Sequence, residues 1–163
     1  MTISVRPARP DEYAVAGTVT ADAYREFLEG SKWAAYIRDI ADVEDRAERT
    51  EILVAVDDGQ RIIGSATLEL DARARLDDAP LAPHEAHIRM LGVHPDARGR
   101  GAAKALMAGC EARAREAGKT VLTLNTIELM AAAKAMYEDL GYARLEDEPQ
   151  SDGIVLLSYE KQL

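Results

Sequence analysis

The chain has one cysteine, Cys110, and no apolar stretch approaching the roughly 18 residues that a membrane-crossing helix needs. A single thiol cannot close an internal disulfide, which suits a reducing compartment and sets the expectation of a cytoplasmic protein. The opening Met1-Thr2-Ile3-Ser4-Val5-Arg6-Pro7 lacks a basic start followed by an apolar block, so no secretory signal is expected. Positive charge is in deficit as well: 20 Lys and Arg against 29 Asp and Glu give −9. That balance repels a phosphate backbone and argues against a nucleic-acid partner. Two nucleotide-binding signatures are missing. There is no Gly-x-x-x-x-Gly-Lys-Ser/Thr, and Lys104 stands where a dinucleotide fingerprint needs its third glycine. His84, His87 and His94 are spaced by three and seven, with a strand between the last two and no cysteine partners, so no metal site is expected.

Charged residues are 30% and hydrophobic residues 47% of the 163, a composition of neither a disordered nor a membrane protein. The length fits one domain, 1–163, large enough to bury a sizeable core. Ile3–Arg6 alternates like a half-buried strand, and Pro10-Asp11 open a helix predicted to reach about Leu28. Ser31 is placed to cap a second helix carrying Trp33, Tyr36, Ile37, Ile40 and Val43. Ile52–Val56 and Ile62–Leu70 form a predicted hairpin around Asp57-Asp58-Gly59-Gln60. Asp71–His84 reads as a surface loop, Ala86–Val93 as a strand, Gly101–Ala117 as a helix and Val121–Asn125 as the next strand. Leu129–Leu140 is a predicted helix stopped by Gly141, and Tyr142–Leu145 and Ile154–Tyr159 are candidate strands around a Pro149–Gly153 turn. No internal repeat, linker or low-complexity segment is seen. Strand–helix–strand order from 86 to 125 implies a right-handed parallel crossover, while 52–70 implies antiparallel pairing, so the sheet is mixed.

The most informative stretch is Arg98-Gly99-Arg100-Gly101-Ala102-Ala103, between an apolar strand and an alanine-rich helix. Glycines let backbone approach an anion, and the free N–H groups of a first helical turn point at it. Cys110 falls within that helix, where a packed thiol is favoured over a nucleophile.

This loop, arginine, two residues, glycine, one residue, alanine, resembles the acyl-CoA pyrophosphate loop of the GCN5-related N-acetyltransferases (GNAT). The resemblance extends to Ile3–Ala8 with Asp11, to Val54–Val56 with Ile63–Ala66, to Ile88–Gly101, and to Ala133–Tyr142 with its tyrosine four residues before Gly141-Tyr142. It implies an α/β fold: a single domain with a mixed sheet of about six to seven strands and about four helices. It also implies direct transfer of an acetyl group from acetyl-CoA, as cosubstrate and with no metal, to a primary amine of a small molecule or peptide. A catalytically inactive acyl-CoA sensor of the same fold, another acyl donor and a hydroxyl acceptor are the alternatives. Homodimers are common in the family, although no residue here fixes an interface.

By the same resemblance, pantetheine lies in a splay between Ala86–Val93 and Val121–Asn125, bonded by backbone near Leu91, Gly92 and Val93. Amides from Arg98, Gly99, Arg100, Gly101, Ala102 and Ala103 take the pyrophosphate. The side chains of Arg98, Arg100 and Lys104 either add charge there or stay solvated. Ala133 and Tyr137 belong to the cofactor helix, and Tyr137 is the implied acid for the departing thiolate, with simple core packing as its alternative. For the base, Glu85 and His87 precede the apolar part of the cofactor strand; His87 has the better unperturbed pKa for proton exchange near neutrality. Glu69 is a third candidate. Where relatives often carry an asparagine, Met130 stands here, and Asn125 is available either for that CoA contact or to cap the sheet edge. Tyr24, Phe27, Trp33 and Tyr36 fall in the helices that line the acceptor pocket in the family, as core or as cavity wall. Asp22, Glu26 and Glu29 nearby could receive a cationic acceptor or form a solvated face.

Overall fold

Alternation in Ile52-Leu53-Val54-Ala55-Val56 splits these side chains between two apolar layers. In the computed structural model, which describes residues 2–71, 81–146, 148–149 and 155–163, Leu53 and Ala55 join a core with Leu106, Met107 and Cys110. Ile52, Val54 and Val56 pack instead with Ala16 and Val43. Helices thus cover both faces of the sheet, which explains why its central strands are apolar on both sides.

The chain runs β1 (Ser4–Pro7), a 3-10 turn (Pro10–Glu12), α1 (Tyr13–Leu28), α2 (Tyr36–Ala41), α3 (Val43–Ala47), β2 (Glu51–Val56) and β3 (Ile62–Glu69). It continues through β4 (Glu85–Val93), α4 (Ala102–Glu116), β5 (Val121–Ile127), α5 (Ala131–Asp139), β6 (Ala143–Arg144), β7 (Glu148–Pro149) and β8 (Val155–Gln162). The sheet order is β1-β2-β3-β4-β5-β8-β6, with β7 paired to β8. Among the described residues only β4 and β5 pair in parallel, and α4 is the crossover between them. The mixed α/β sheet is as expected: among the described residues six strands exceed two residues, and β6 and β7 add two-residue pieces. Among the described residues no helix is long and apolar enough to cross a membrane.

Among the described residues there are five helices, close to the expected four, because the predicted second helix divides. Asp42 leaves helical backbone at φ −87° and ψ 68°, and its carboxylate accepts from the Asp45 N–H at 3.2 Å to start α3. Ser31 does not cap a helix; its hydroxyl donates to the Leu28 carbonyl and accepts from the Trp33 N–H, closing the turn after α1. Of the predicted loop Asp71–His84, residues 72–80 lie outside the described residues, as do 150–153 of the predicted Pro149–Gly153 turn.

Two contacts seat the helices that matter for the site. At Gly17 an added Cβ would lie 2.0 Å from the Ala41 carbonyl oxygen, so only glycine lets α1 meet the end of α2. Arg46 of α3 is buried, and its guanidinium donates to Thr67 Oγ1 (2.9 Å) and to the carbonyls of Asp39 and Ile40 (2.8 Å each). It closes the last turn of α2 with a cation and joins it to β3. The start of α1 is tied to β1 by Glu12, whose carboxylate accepts two 2.8 Å bonds from Arg6 and one from the Arg9 N–H.

Gly17→Ala is expected to destabilise the protein by about 1–3 kcal/mol through overpacking, read by chemical denaturation. An unchanged midpoint would contradict the close contact of α1 with α2. The bonds from Arg6 and then Arg9 lower the Glu12 carboxyl from 4.5 to about 2. A depressed native pKa stabilises fully above about pH 4.5 and is lost as pH falls toward 2. Glu12→Gln should therefore flatten the stability profile between pH 4.5 and 2; a profile matching the native protein's would contradict the assignment.

Candidate active site

β4 and β5 hold together only at their starts, where Glu85, Ala86, His87 and Ile88 pair with Val121, Leu122, Thr123 and Leu124. Beyond that point β4 stays on β3 as far as Val93, and β5 stays on β8 as far as Ile127, so the two strands part. A bulge in β4 marks the place. Between the pairs Thr67–Arg89 and Ser65–Gly92, both Met90 and Leu91 stand opposite Ala66, and Met90 has φ +52°. An extra residue bends and twists its strand and reverses the in–out alternation beyond it. Ala86 and Ile88 accordingly share a layer with Leu91 and Val93, while Met90 turns to Leu28, Ile37 and Ile40. Left-handed backbone at a non-glycine residue costs about 1–3 kcal/mol and persists only where neighbours hold it. Tyr24 of α1 is one such neighbour, donating its Oη proton to the Leu91 carbonyl at 3.1 Å.

Two cavities open along the split and share Leu91 and Met130 as walls. The larger, ≈ 420 Å³, lies toward the glycine loop. Its walls bring together Leu91, Gly92, Val93, Arg98, Gly99, Gly101, Ala102, Ala103, Lys104 and Ala133, all expected cofactor residues. Gly99 and Gly101 have φ +79° and +86° with open space where a Cβ would go, so the backbone angle rather than room requires glycine. Gly101 is also the N-cap of α4 and has no side chain to bond the helix's first amides. Those amides are left for an anion.

The Arg98 guanidinium donates to the Ala23 carbonyl at 3.2 Å and pairs with Glu26, so it ties the loop to α1 while lining the larger cavity. Arg100 is exposed and does not line either cavity. Lys104 is exposed on the wall of the larger one.

The smaller cavity, ≈ 260 Å³, lies on the α1–α2 side and gathers His87, Asn125 and Tyr137 with Tyr24, Trp33 and Tyr36. Tyr137 is 5% exposed, with ring centroids of Tyr142 and Tyr159 at 6.1 and 5.9 Å. Burial pushes its phenol well above the ordinary value, so it stays protonated at neutrality. His87 is buried, with Nδ1 2.7 Å from Thr123 Oγ1. The Thr123 hydroxyl gives its one proton to the Ala86 carbonyl at 3.3 Å, which makes His87 Nδ1 the donor and Nε2 the basic nitrogen. Asn125 accepts from the hydroxyl of its cross-strand partner Ser158 at 2.9 Å, a contact between β5 and β8 inside the sheet.

Glu85 is not brought into either cavity; its carboxylate accepts from the Ala82 N–H at 3.1 Å, in the turn before β4. Glu69 is fully buried opposite His87 in the β3–β4 register, 3.5 Å from the Arg89 guanidinium, and does not line either cavity. The acids of α1 do not line the smaller cavity either: Asp22 pairs with Arg25, Glu26 with Arg98, and Glu29 is exposed. Cys110 is a packed thiol, pushed up to about 12 by burial. Among the described residues no three His, Cys, Asp or Glu side chains cluster as metal ligands would.

Sequence reasoning missed three features: the bulge at Met90, the Tyr24 bond to Leu91, and Arg89 on the cavity wall. Arg89 had a signal, since it follows His87 by two in a strand and so shares its face.

The pattern of the acetyltransferase (GNAT) family matches residues 10–142. Solved structures agree over the whole chain. The structure of yncA from Salmonella typhimurium with its cofactor acetyl-CoA is 19% identical, with TM-score 0.75, covering 100% of this chain and 95% of that one. A Corynebacterium glutamicum protein described as histone acetyltransferase HPA2 and related acetyltransferase is 25% identical, with TM-score 0.76, covering 99% and 97%. Ribosomal-protein-alanine N-acetyltransferase from Brucella melitensis is 23% identical, with TM-score 0.73, covering 98% and 99%. No curated protein matches the chain.

Proposed function

The chain belongs to the acetyltransferase (GNAT) family, and from that premise we propose that it transfers an acetyl group from acetyl-CoA directly to a primary amine of a small molecule or peptide. The observation that carries the reading is the continuity of the site. One end is the amide-lined bend at Gly99–Gly101, and the other is the wall with His87 and Tyr137, joined through Leu91 and Met130 where β4 and β5 part.

The cavity fits the cosubstrate on chemical grounds. Uncapped first-turn amides of a 15-residue helix suit a pyrophosphate. The side of β4 freed from β5 suits an extended chain carrying amides, which adds to the sheet edge as a strand would. Acetyl-CoA supplies an activated acyl group whose carbonyl carbon accepts the amine nitrogen and releases the thiol. Tyr24 already occupies one lone pair of the Leu91 carbonyl, so backbone at Gly92 and Val93 takes more of the pantetheine contact than Leu91. A backbone N–H at the bulge is placed to stabilise charge on the acyl oxygen.

An alkyl amine is normally protonated near neutrality and must lose a proton to attack. His87 Nε2 accepts that proton, directly or through water, and Thr123 holds the ring in the required tautomer. Tyr137 Oη gives its proton to the departing sulfur. The N–C bond forms as the C–S bond breaks; the proton on His87 and the one lost by Tyr137 are then rebalanced through solvent.

Release of free thiol from acetyl-CoA in the presence of an amine panel tests the reading, and tight CoA binding without turnover on any amine would favour an acyl-CoA sensor. Tyr137→Phe should lower turnover by about 10²-fold or more, as loss of a general acid does, with CoA affinity little changed. Unchanged turnover removes Tyr137 from the acid role. Gly101→Ala forces a side chain into left-handed backbone at about 1–2 kcal/mol. It should weaken CoA binding by roughly tenfold in calorimetry; equal affinity would show that the bend does not hold the cosubstrate.

A further inference from the structure

We propose that Tyr24 holds the acceptor nitrogen, and that its hydroxyl oxygen, by accepting an N–H from that nitrogen, selects primary amines over secondary amines and alcohols. This rests on the acetyl-transfer reading and adds the feature by which the site tells acceptors apart.

The single proton of the hydroxyl is the first ground. A tyrosine hydroxyl has one proton to donate and keeps lone pairs that can accept. The Tyr24 proton is committed to the Leu91 carbonyl at 3.1 Å, and among the described residues no group donates to the Tyr24 oxygen. Burial first, and the neighbouring Tyr137 phenol next, raise this hydroxyl above its ordinary value, so the proton stays in the bond to Leu91. What Tyr24 offers a ligand is therefore an acceptor, and an N–H is the group that suits it.

Placement is the second ground. Tyr24 lines the smaller cavity, and its bond ends on Leu91, which lines both. A nitrogen within about 3 Å of the hydroxyl oxygen thus sits where acceptor space meets cosubstrate space. The ring is fixed there, since it packs against the cluster of Ala21, Leu28, Ile37 and Ile40. Carboxylates offer no rival anchor: among the described residues no Asp or Glu lines the smaller cavity, and Asp22 and Glu26 are engaged with Arg25 and Arg98.

The chemistry of transfer then separates the acceptors. A neutral primary amine carries two N–H bonds and a lone pair. The lone pair forms the N–C bond as the C–S bond breaks, one N–H gives its proton to the base, and Tyr137 protonates the sulfur. The other N–H stays on Tyr24 throughout and survives in the product amide. A secondary amine ends as a tertiary amide and an alcohol as an ester. Neither keeps a hydrogen for Tyr24, whose oxygen loses its partner as the product forms. A site built round such a bond rejects analogues that lack it, because the acceptor is left unsatisfied.

The test compares acceptors in the native protein and in Tyr24→Phe. Each amine that turns over is set against its N-methyl derivative and its alcohol. The first set is 2-phenylethylamine, N-methyl-2-phenylethylamine and 2-phenylethanol, a frame suited to the aromatic wall of Trp33 and Tyr36. In the native protein kcat/KM should favour the primary amine, and in Tyr24→Phe its ratio to each analogue should fall by about tenfold, as loss of one hydrogen bond predicts. A merely structural role, support of the bulge through Leu91, would lower all three acceptors alike and leave the ratios unmoved. Unmoved ratios would overturn the proposal, as would native turnover of all three within a few-fold. Should Tyr24→Phe fail to fold, product binding to the native protein decides, read from the fluorescence of Trp33, the single tryptophan on this wall. N-acetyl-2-phenylethylamine should bind more tightly than its N-methyl amide and than 2-phenylethyl acetate; equal affinities would overturn the proposal. If CoA binds and no amine turns over, the transfer reading falls and takes this proposal with it, whereas rapid amine turnover with unmoved ratios removes the proposal alone.

Discussion

The site depends on one backbone conformation, the left-handed φ of +52° at Met90. With it, two residues of β4 face one of β3, the strand bends, and its later half leaves β5. Without it, continued parallel pairing would close the space that both cavities occupy. The bulge also reverses which side chains face which helices, placing Leu91 and Val93 toward α4 and Met90 toward α1 and α2. Tyr24 fastens the same point to α1, and the Gly17 contact fixes α1 against α2. Strain in one peptide is thus held by packing on both sides, and the open seam is what that packing supports.

Polarity is divided along the seam in a way that suits group transfer. At the loop end, partial positive charge comes from amides and needs no side chain, which is why Arg98 can be spent on fastening the loop to Glu26 and Ala23. At the other end, burial keeps the Tyr137 phenol protonated, and Thr123 orients the His87 ring. A protonated phenol and an oriented imidazole thus share one wall with Arg89.

Much of this was legible in the residues. Two glycines between a strand and an alanine-rich helix specified the bend, because positive φ at Gly99 and Gly101 has few other solutions. The mixed sheet followed from a hairpin and a strand–helix–strand order. What escaped was set by tertiary contact. The pairing of Arg98 with Glu26 is one case: Glu26 lies 72 positions earlier in the chain, and no local pattern announces it. Ser31 looked like a cap, yet the turn it closes belongs to the helix before it. Asp42 ended one helix and began another by a side-chain bond that periodicity cannot reveal. The bulge escaped too, since Met90 is an unremarkable strand residue until Tyr24 and the helices hold it.

A structure of the protein with CoA bound is the most direct measurement of the central claim. The account predicts the diphosphate on the amides of Gly99–Ala103, the pantetheine between β4 and β5 against Gly92 and Val93, and the sulfur within reach of Tyr137. CoA bound elsewhere on the surface, or β4 and β5 drawn together with the seam filled by side chains, would contradict it.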